Sequence, residues 1–92
     1  MPRERRDVEA GLLCKGFQQR EGDHHYFIYF TEEGQKSRVV TKTSHSMKEI
    51  PDVLLCQMAR QCRLTKALFL GLVDCPLNRG DYERLLDQGG QL

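Results

Sequence analysis

Three histidines are the residues in this chain best suited to moving a proton near neutral pH, because imidazole alone among unperturbed side chains titrates there. Two are adjacent, His24 and His25, directly after a Gly22-Asp23 turn signal, and the third, His45, sits in the polar stretch SHSMKEI. A histidine where a turn becomes a strand is held by the sheet yet open to solvent. Beside an RNA phosphodiester, such a group can activate the 2′-OH against the adjacent phosphorus without a metal, provided cations stabilise the phosphorane charge. Lys42, Lys48 and Arg38 are the cations at hand. Ser44, Ser46 and Lys48 around His45 are side chains that a phosphate-contacting loop uses, and Ser46 with Glu49 has the spacing of a helix capping box. Each feature also has a plain alternative: a strand-end histidine is more often structural, and a polar loop ahead of a helix is ordinary.

Other chemistries find less support. Neighbouring strand residues point to opposite faces, so His24 and His25 do not share one ion, and no metal site or cofactor is expected. Neither GxxxxGK nor GxSxG occurs, which removes the phosphate loop and the nucleophile elbow. Cys14, Cys56, Cys62 and Cys75 contain no CxxC pair, so a zinc knuckle is not expected. With nothing marking secretion, disulfides are not expected either. Cys14 and Cys56 fall inside helical apolar patterns and read as small buried hydrophobes; Cys75, before Pro76, reads as structural. Glu32 and Glu33 lie in a turn, where solvated charge is the obvious reading.

The elements that must position these residues follow from periodicity. Val8 and Leu12, four apart with Leu13 beside them, predict a helix over 5–15, stopped by Gly16. FQQR then begins an extended segment. HHYFIYF, residues 24–30, is dense in β-formers; His24, Tyr26, Ile28 and Phe30 point one way, His25, Phe27 and Tyr29 the other. Apolar character on both sides predicts a central strand with both faces largely covered. TEEGQK is a hairpin turn with Gly34 at its unusual backbone angle, and SRVVTKT a third strand with Arg38, Val40 and Lys42 on one side. Residues 44–50 are expected to be loop. Pro51 suits a first helical turn of a helix reaching about Cys62, with Leu54, Met58 and Cys62 in one row and Leu55 and Ala59 in the next. Thr65 caps a third helix, KALFLGLVDC, and Asn78 a fourth, DYERLLDQ. Residues 1–64 form the main unit, and 65–92 a helical extension packed on the same domain through Leu68, Leu72, Leu85 and Leu86.

Ninety-two residues, 39% hydrophobic and 8% aromatic, suffice for one packed domain that buries roughly 60% of its unfolded surface. No apolar run is long enough to span a bilayer and no leader is visible, so the expected location is the cytoplasm, with no membrane partner. Net charge is +1, unevenly spread. Residues 34–66 carry seven Lys or Arg against Glu49 and Asp52, a net of +5, while 1–33 and 67–92 are each −2. A basic middle between acidic ends attracts a polyanion locally, or is simply a solvated face.

Three patterns in order carry a resemblance: LLCKGF closing the first helix, GDHHYFIYF opening the second strand, and VTKTSHSMKEIPDVLLCQMARQCRLTKALF running from the third strand through the next helix. Over about residues 5–70 the chain resembles the HicA family of mRNA-cleaving toxins. That resemblance implies an α+β fold like the double-stranded-RNA-binding domain, an α-β-β-β-α sandwich with helices on one face, here followed by two short extra C-terminal helices. It implies mRNA as substrate, a HicB-like antitoxin as partner, and a catalytic histidine at His24, or at His25 as in a few members. Lys42 and Lys48, with Arg38, then contact phosphate, and His45 is a secondary candidate. The chain departs from the family in its near-neutral charge, in Asp23 where Ser is common, and in about twenty further residues at the C-terminus. Two other readings stay open: a non-catalytic RNA- or protein-binding module of the same fold, and a structural or homo-oligomeric small domain.

Overall fold

The alternating pattern of the middle of the chain becomes a three-stranded antiparallel sheet in the computed structural model, which describes residues 2–74 and 76–92. In chain order the elements are β1 (Arg3–Glu4), α1 (Arg5–Cys14), β2 (Phe17–Glu21), β3 (His25–Phe30), β4 (Lys36–Thr43), β5 (Glu49–Ile50), α2 (Asp52–Gln61), α3 (Lys66–Asp74) and α4 (Arg79–Gln88). The strand order is β2-β3-β4, so the aromatic strand is central as expected. Gly34 turns the β3–β4 hairpin at φ 89°, with its N–H donating to Thr31 O at 2.8 Å. The N-terminal β1 forms a separate two-stranded ladder with β5, pairing Arg3 with Ile50.

Register decides the two faces of the sheet. Gln19, Phe27 and Thr41 form one row and Phe17 pairs with Tyr29; all but Gln19 are buried. These rows face the helices and join a single core with Val8, Leu12, Leu55, Met58, Phe69, Leu72, Tyr82 and Leu86. The opposite face is not covered. Tyr26, Ile28 and Phe30 remain half-buried, which corrects the expectation of cover on both sides.

The C-terminal helices are part of this core. Tyr82 stacks on Phe17 with centroids 5.9 Å apart and meets Tyr29 edge-on at 5.1 Å. Its hydroxyl donates to Cys62 O at 2.9 Å, and Tyr29 donates to Glu83 at 2.6 Å. Lys15, though buried, donates from Nζ to Leu72 O at 2.6 Å and Leu77 O at 2.8 Å. A cation there suits the negative end of α3. Gly11 lets α1 approach α3: a Cβ would stand 2.5 Å from Val73 O.

Several local expectations change. Cys14 and Leu13 are exposed and Cys56 is half-buried; Cys62 is the buried thiol. The helix turns about 100° per residue, so Cys14 lies nearly opposite the buried Leu12, and Cys56 a quarter-turn from Leu55. Cys75 lies outside the described residues. Residues 44–50 contain β5, and no helix starts at Ser46, α2 beginning only after Pro51, so the capping-box spacing is coincidental. Pro51 precedes α2 in extended conformation rather than opening its first turn. Thr65 and Asn78 accept from Leu68 N and Asp81 N as expected, though α4 starts earlier, at Arg79. On the extension, Leu72 and Leu86 are buried, but Leu68 and Leu85 are exposed, and Phe69 fills the core instead.

Phe69→Ala should lower the unfolding free energy by about 3–5 kcal/mol, and Leu68→Ala by no more than about 0.5 kcal/mol, in urea denaturation. Equal effects would show that α3 is merely appended. A second expectation concerns alkali. Burial, then the Glu83 carboxylate, pushes the Tyr29 phenol up to about 12, whereas an unfolded phenol ionises near ~10. Stability is therefore complete below the unfolded value and declines as pH rises through the window between the two. Tyr29→Phe should be less stable at neutral pH yet show a shallower decline there, read from denaturation midpoints across pH.

Candidate active site and nucleic-acid interface

The sheet's open face is built from alternate residues of three strands. Arg20, Tyr26 and Lys42 align in one row, Gln18, Ile28 and Val40 in the next, and Phe30 pairs with Lys36. Arg38 is exposed on the same side of β4. The Arg20 guanidinium lies 5.9 Å from the centre of the Phe30 ring. Cations interleaved with aromatic rings, and no carboxylate in these rows, make a surface suited to nucleobases and phosphates. The sequence reading had both alternations, but not the register that puts Arg20, Tyr26, Phe30 and Lys36 together.

His24 stands one residue ahead of β3, in the bend rather than in the strand. It lines a cleft of about 130 Å³ with Lys42, Thr43 and Ser44 on the sheet side and Ile50, Leu54 and Met58 opposite. Its ring meets Tyr26 edge-on at 6.1 Å. Its Nδ1 is buried and has no hydrogen-bond partner among the described residues. An unpaired buried polar atom costs about 1–3 kcal/mol, so such an atom calls for an explanation, a ligand or a proton-transfer role among them. The open face and the cleft meet at Lys42, which lines the cleft and stands in the row of Arg20 and Tyr26.

The other candidates separate. Arg38 lies four residues from Lys42 along β4, about 14 Å at strand rise, so it belongs to the open face and not to the cleft. Lys48 is exposed and does not line the cleft. His25 points with Glu21 to the helix side of the sheet, Nδ1 lying 2.6 Å from Glu21 Oε2 and 3.2 Å from Gln19 Nε2. His45 lies over His25, ring centres 3.9 Å apart, with Nε2 3.3 Å from Gly22 O. Hydrogen bonds from Gln19 and His25 hold the Glu21 carboxyl below its usual range.

A residue outside the sequence-derived set fixes the loop. Arg5 Nη1 donates to Ser44 O at 2.9 Å and His45 O at 2.7 Å, and Arg5 N donates to Lys48 O at 2.9 Å. Its guanidinium also sits 3.6 Å from Glu9, which accepts from Thr43 Oγ1 at 2.6 Å. Nothing at the sequence level marks Arg5 among its charged neighbours.

Comparison with protein-family models, curated proteins and solved structures finds no match. Among the described residues no helix is long and apolar enough to cross a membrane.

Arg5→Ala should speed amide exchange of residues 44–48 while leaving the middle of β3 protected. Unchanged exchange in the loop would show that the arginine does not hold it.

Proposed function

We propose that this chain is an endoribonuclease of the HicA kind, a cytoplasmic mRNA-cleaving toxin with a double-stranded-RNA-binding-domain-like fold and a HicB-like antitoxin as its partner. The observation that carries the reading is the continuity between the cation-and-aromatic face and the cleft that holds the unpartnered His24 Nδ1. Single-stranded RNA lies across Tyr26 and Phe30, with Arg20, Lys36, Arg38 and Lys42 on its phosphates. At the cleft, His24 takes the proton of a 2′-OH, whose oxygen attacks the adjacent phosphorus. Lys42 stabilises the charge on the phosphorane oxygens, the His24 imidazolium returns its proton to the leaving 5′-oxygen, and a 2′,3′-cyclic phosphate remains. No metal takes part in these steps. The neighbouring histidines are assigned away from the chemistry: His25 has a fixed carboxylate partner, and His45 a backbone one.

The open face also favours a second reading on its own, an RNA-binding module without turnover, because its cations and rings do not depend on His24.

The test is cleavage of a defined single-stranded RNA in EDTA, with growth inhibition on expression, alone and with the adjacent gene. His24→Ala should lose roughly 10²–10⁴-fold in rate while keeping RNA affinity and melting temperature. Arg38→Ala and Lys42→Ala should weaken binding and each lower the salt slope by about one. Cleavage by His24→Ala at the parental rate overturns the assignment. A parent that binds RNA but never cuts it establishes the binding module instead.

A further inference from the structure

A second cluster, around His25 on the helix side of the sheet, does not depend on the ribonuclease reading. Glu21 ends β2, His25 opens β3 directly opposite it, and His45 follows β4 by two residues. One ligand atom from each lies within 4.8 Å of the other two. Three strand ends thus bring two imidazoles and one carboxylate to a single solvent-accessible point.

Hydrogen bonding leaves this arrangement crowded, with two donors converging on one carboxylate oxygen. If His25 Nδ1 carries a proton, it donates well to Glu21 Oε2 at 2.6 Å but confronts the Gln19 amide nitrogen, another donor, at 3.2 Å. If it carries none, two lone pairs face each other across the 2.6 Å contact. Turning the Gln19 amide over does not help, because its oxygen would then stand 3.0 Å from Glu21 Oε2. A cation bound by both Nδ1 and the carboxylate, once they part slightly, relieves the crowding: both become ligands, and Gln19 supports Glu21 from outside by its hydrogen bond. Neither backbone nor loop need move far, since Arg5 already fixes the carbonyls of Ser44 and His45.

We infer that Glu21, His25 and His45 form a binding site for a zinc-class divalent ion. The donor set selects the ion: imidazole nitrogen suits zinc and its first-row neighbours, whereas magnesium and calcium take oxygen. Ligand bonds of about 2.0–2.2 Å place tetrahedral donor atoms roughly 3.4 Å apart, within reach of small side-chain rotations from the present spacing. Three protein ligands leave the fourth position to water. Binding releases the proton that links His25 to Glu21 and ties residues 44–45 to the β2–β3 turn, which His45 already meets at Gly22 O. His24, which lines the cleft instead, is not a ligand.

The experiment titrates the full chain with zinc against a chromophoric competitor, and repeats the titration with cobalt(II), read by its visible absorption. A single equivalent should bind and raise the melting temperature. His45→Ala and Glu21→Gln, both substitutions of exposed side chains, should each weaken binding by at least about tenfold, the loss seen even for outer-sphere partners. Cys14→Ser, which removes the one exposed thiol among the described residues, should leave it unchanged. Absence of saturable binding at micromolar zinc overturns the site, and so does equal affinity in His45→Ala, or loss of binding in Cys14→Ser. None of these readouts involves RNA, so their failure and that of the ribonuclease reading are separate results.

Discussion

Tyr29 and Tyr82 cannot be buried together without acceptors for both hydroxyls, and that requirement organises the molecule. Their rings, with Phe17, fill the space between the sheet and α4. The acceptors come from Glu83, on α4 itself, and from the backbone of Cys62 just after α2. A buried phenol left unpaired forfeits about 1–3 kcal/mol, so this pairing fixes α4 in one position on the sheet. Lys15 does the same for α3, since a buried ammonium is costly unless its donors find acceptors; the Leu72 and Leu77 carbonyls take two of the three. The last third of the chain is therefore as deeply built in as the first.

Spending all four helices on one face leaves the other with none. A half-exposed row of Tyr26, Ile28 and Phe30 is unusual for a central strand, and apolar surface of that kind marks a contact site more often than an accident. The cations beside it belong to the +5 middle segment, with Arg20 added from β2. The near-neutral net charge is thus a poor guide to partners here. What a polyanion meets is the local arrangement within a Debye length of about 10 Å, and no Asp or Glu of the acidic end segments stands in the rows of this face.

The order of elements was legible because their signals are local: periodicity of two in β3 and β4, periodicity near four in the helices, Gly16 and Gly34 at their left-handed turns, Thr65 and Asn78 as caps. What was not legible depends on register or on distance in sequence. Cys14 looked buried because apolar content was read without the angle around α1. β5 is two residues long, and only its pairing with Arg3–Glu4 makes it a strand. Phe69 displaced Leu68 from the core because the approach of Gly11 to Val73 sets the rotation of α3. His24 was found as a candidate from its turn and from the family resemblance. Its cleft was not, since Leu54 and Met58 reach it from another element.

The two adjacent histidines show how one residue of offset divides chemistry. His25 is inside the strand, so alternation sends it to the helix side, where Glu21 stands opposite by register and His45 closes over it. His24 is one residue short of the strand, escapes that alternation, and turns into the cleft beside Lys42. One is richly partnered and the other has a buried nitrogen with none, which separates a residue held in place from one left able to exchange a proton. The loop after β4 serves both, giving Ser44 to the cleft and His45 to the cluster, with Arg5 gripping the carbonyls of each. A ligand at either place therefore restrains the same peptide, and linkage requires that whatever coupling results be felt equally from both sides.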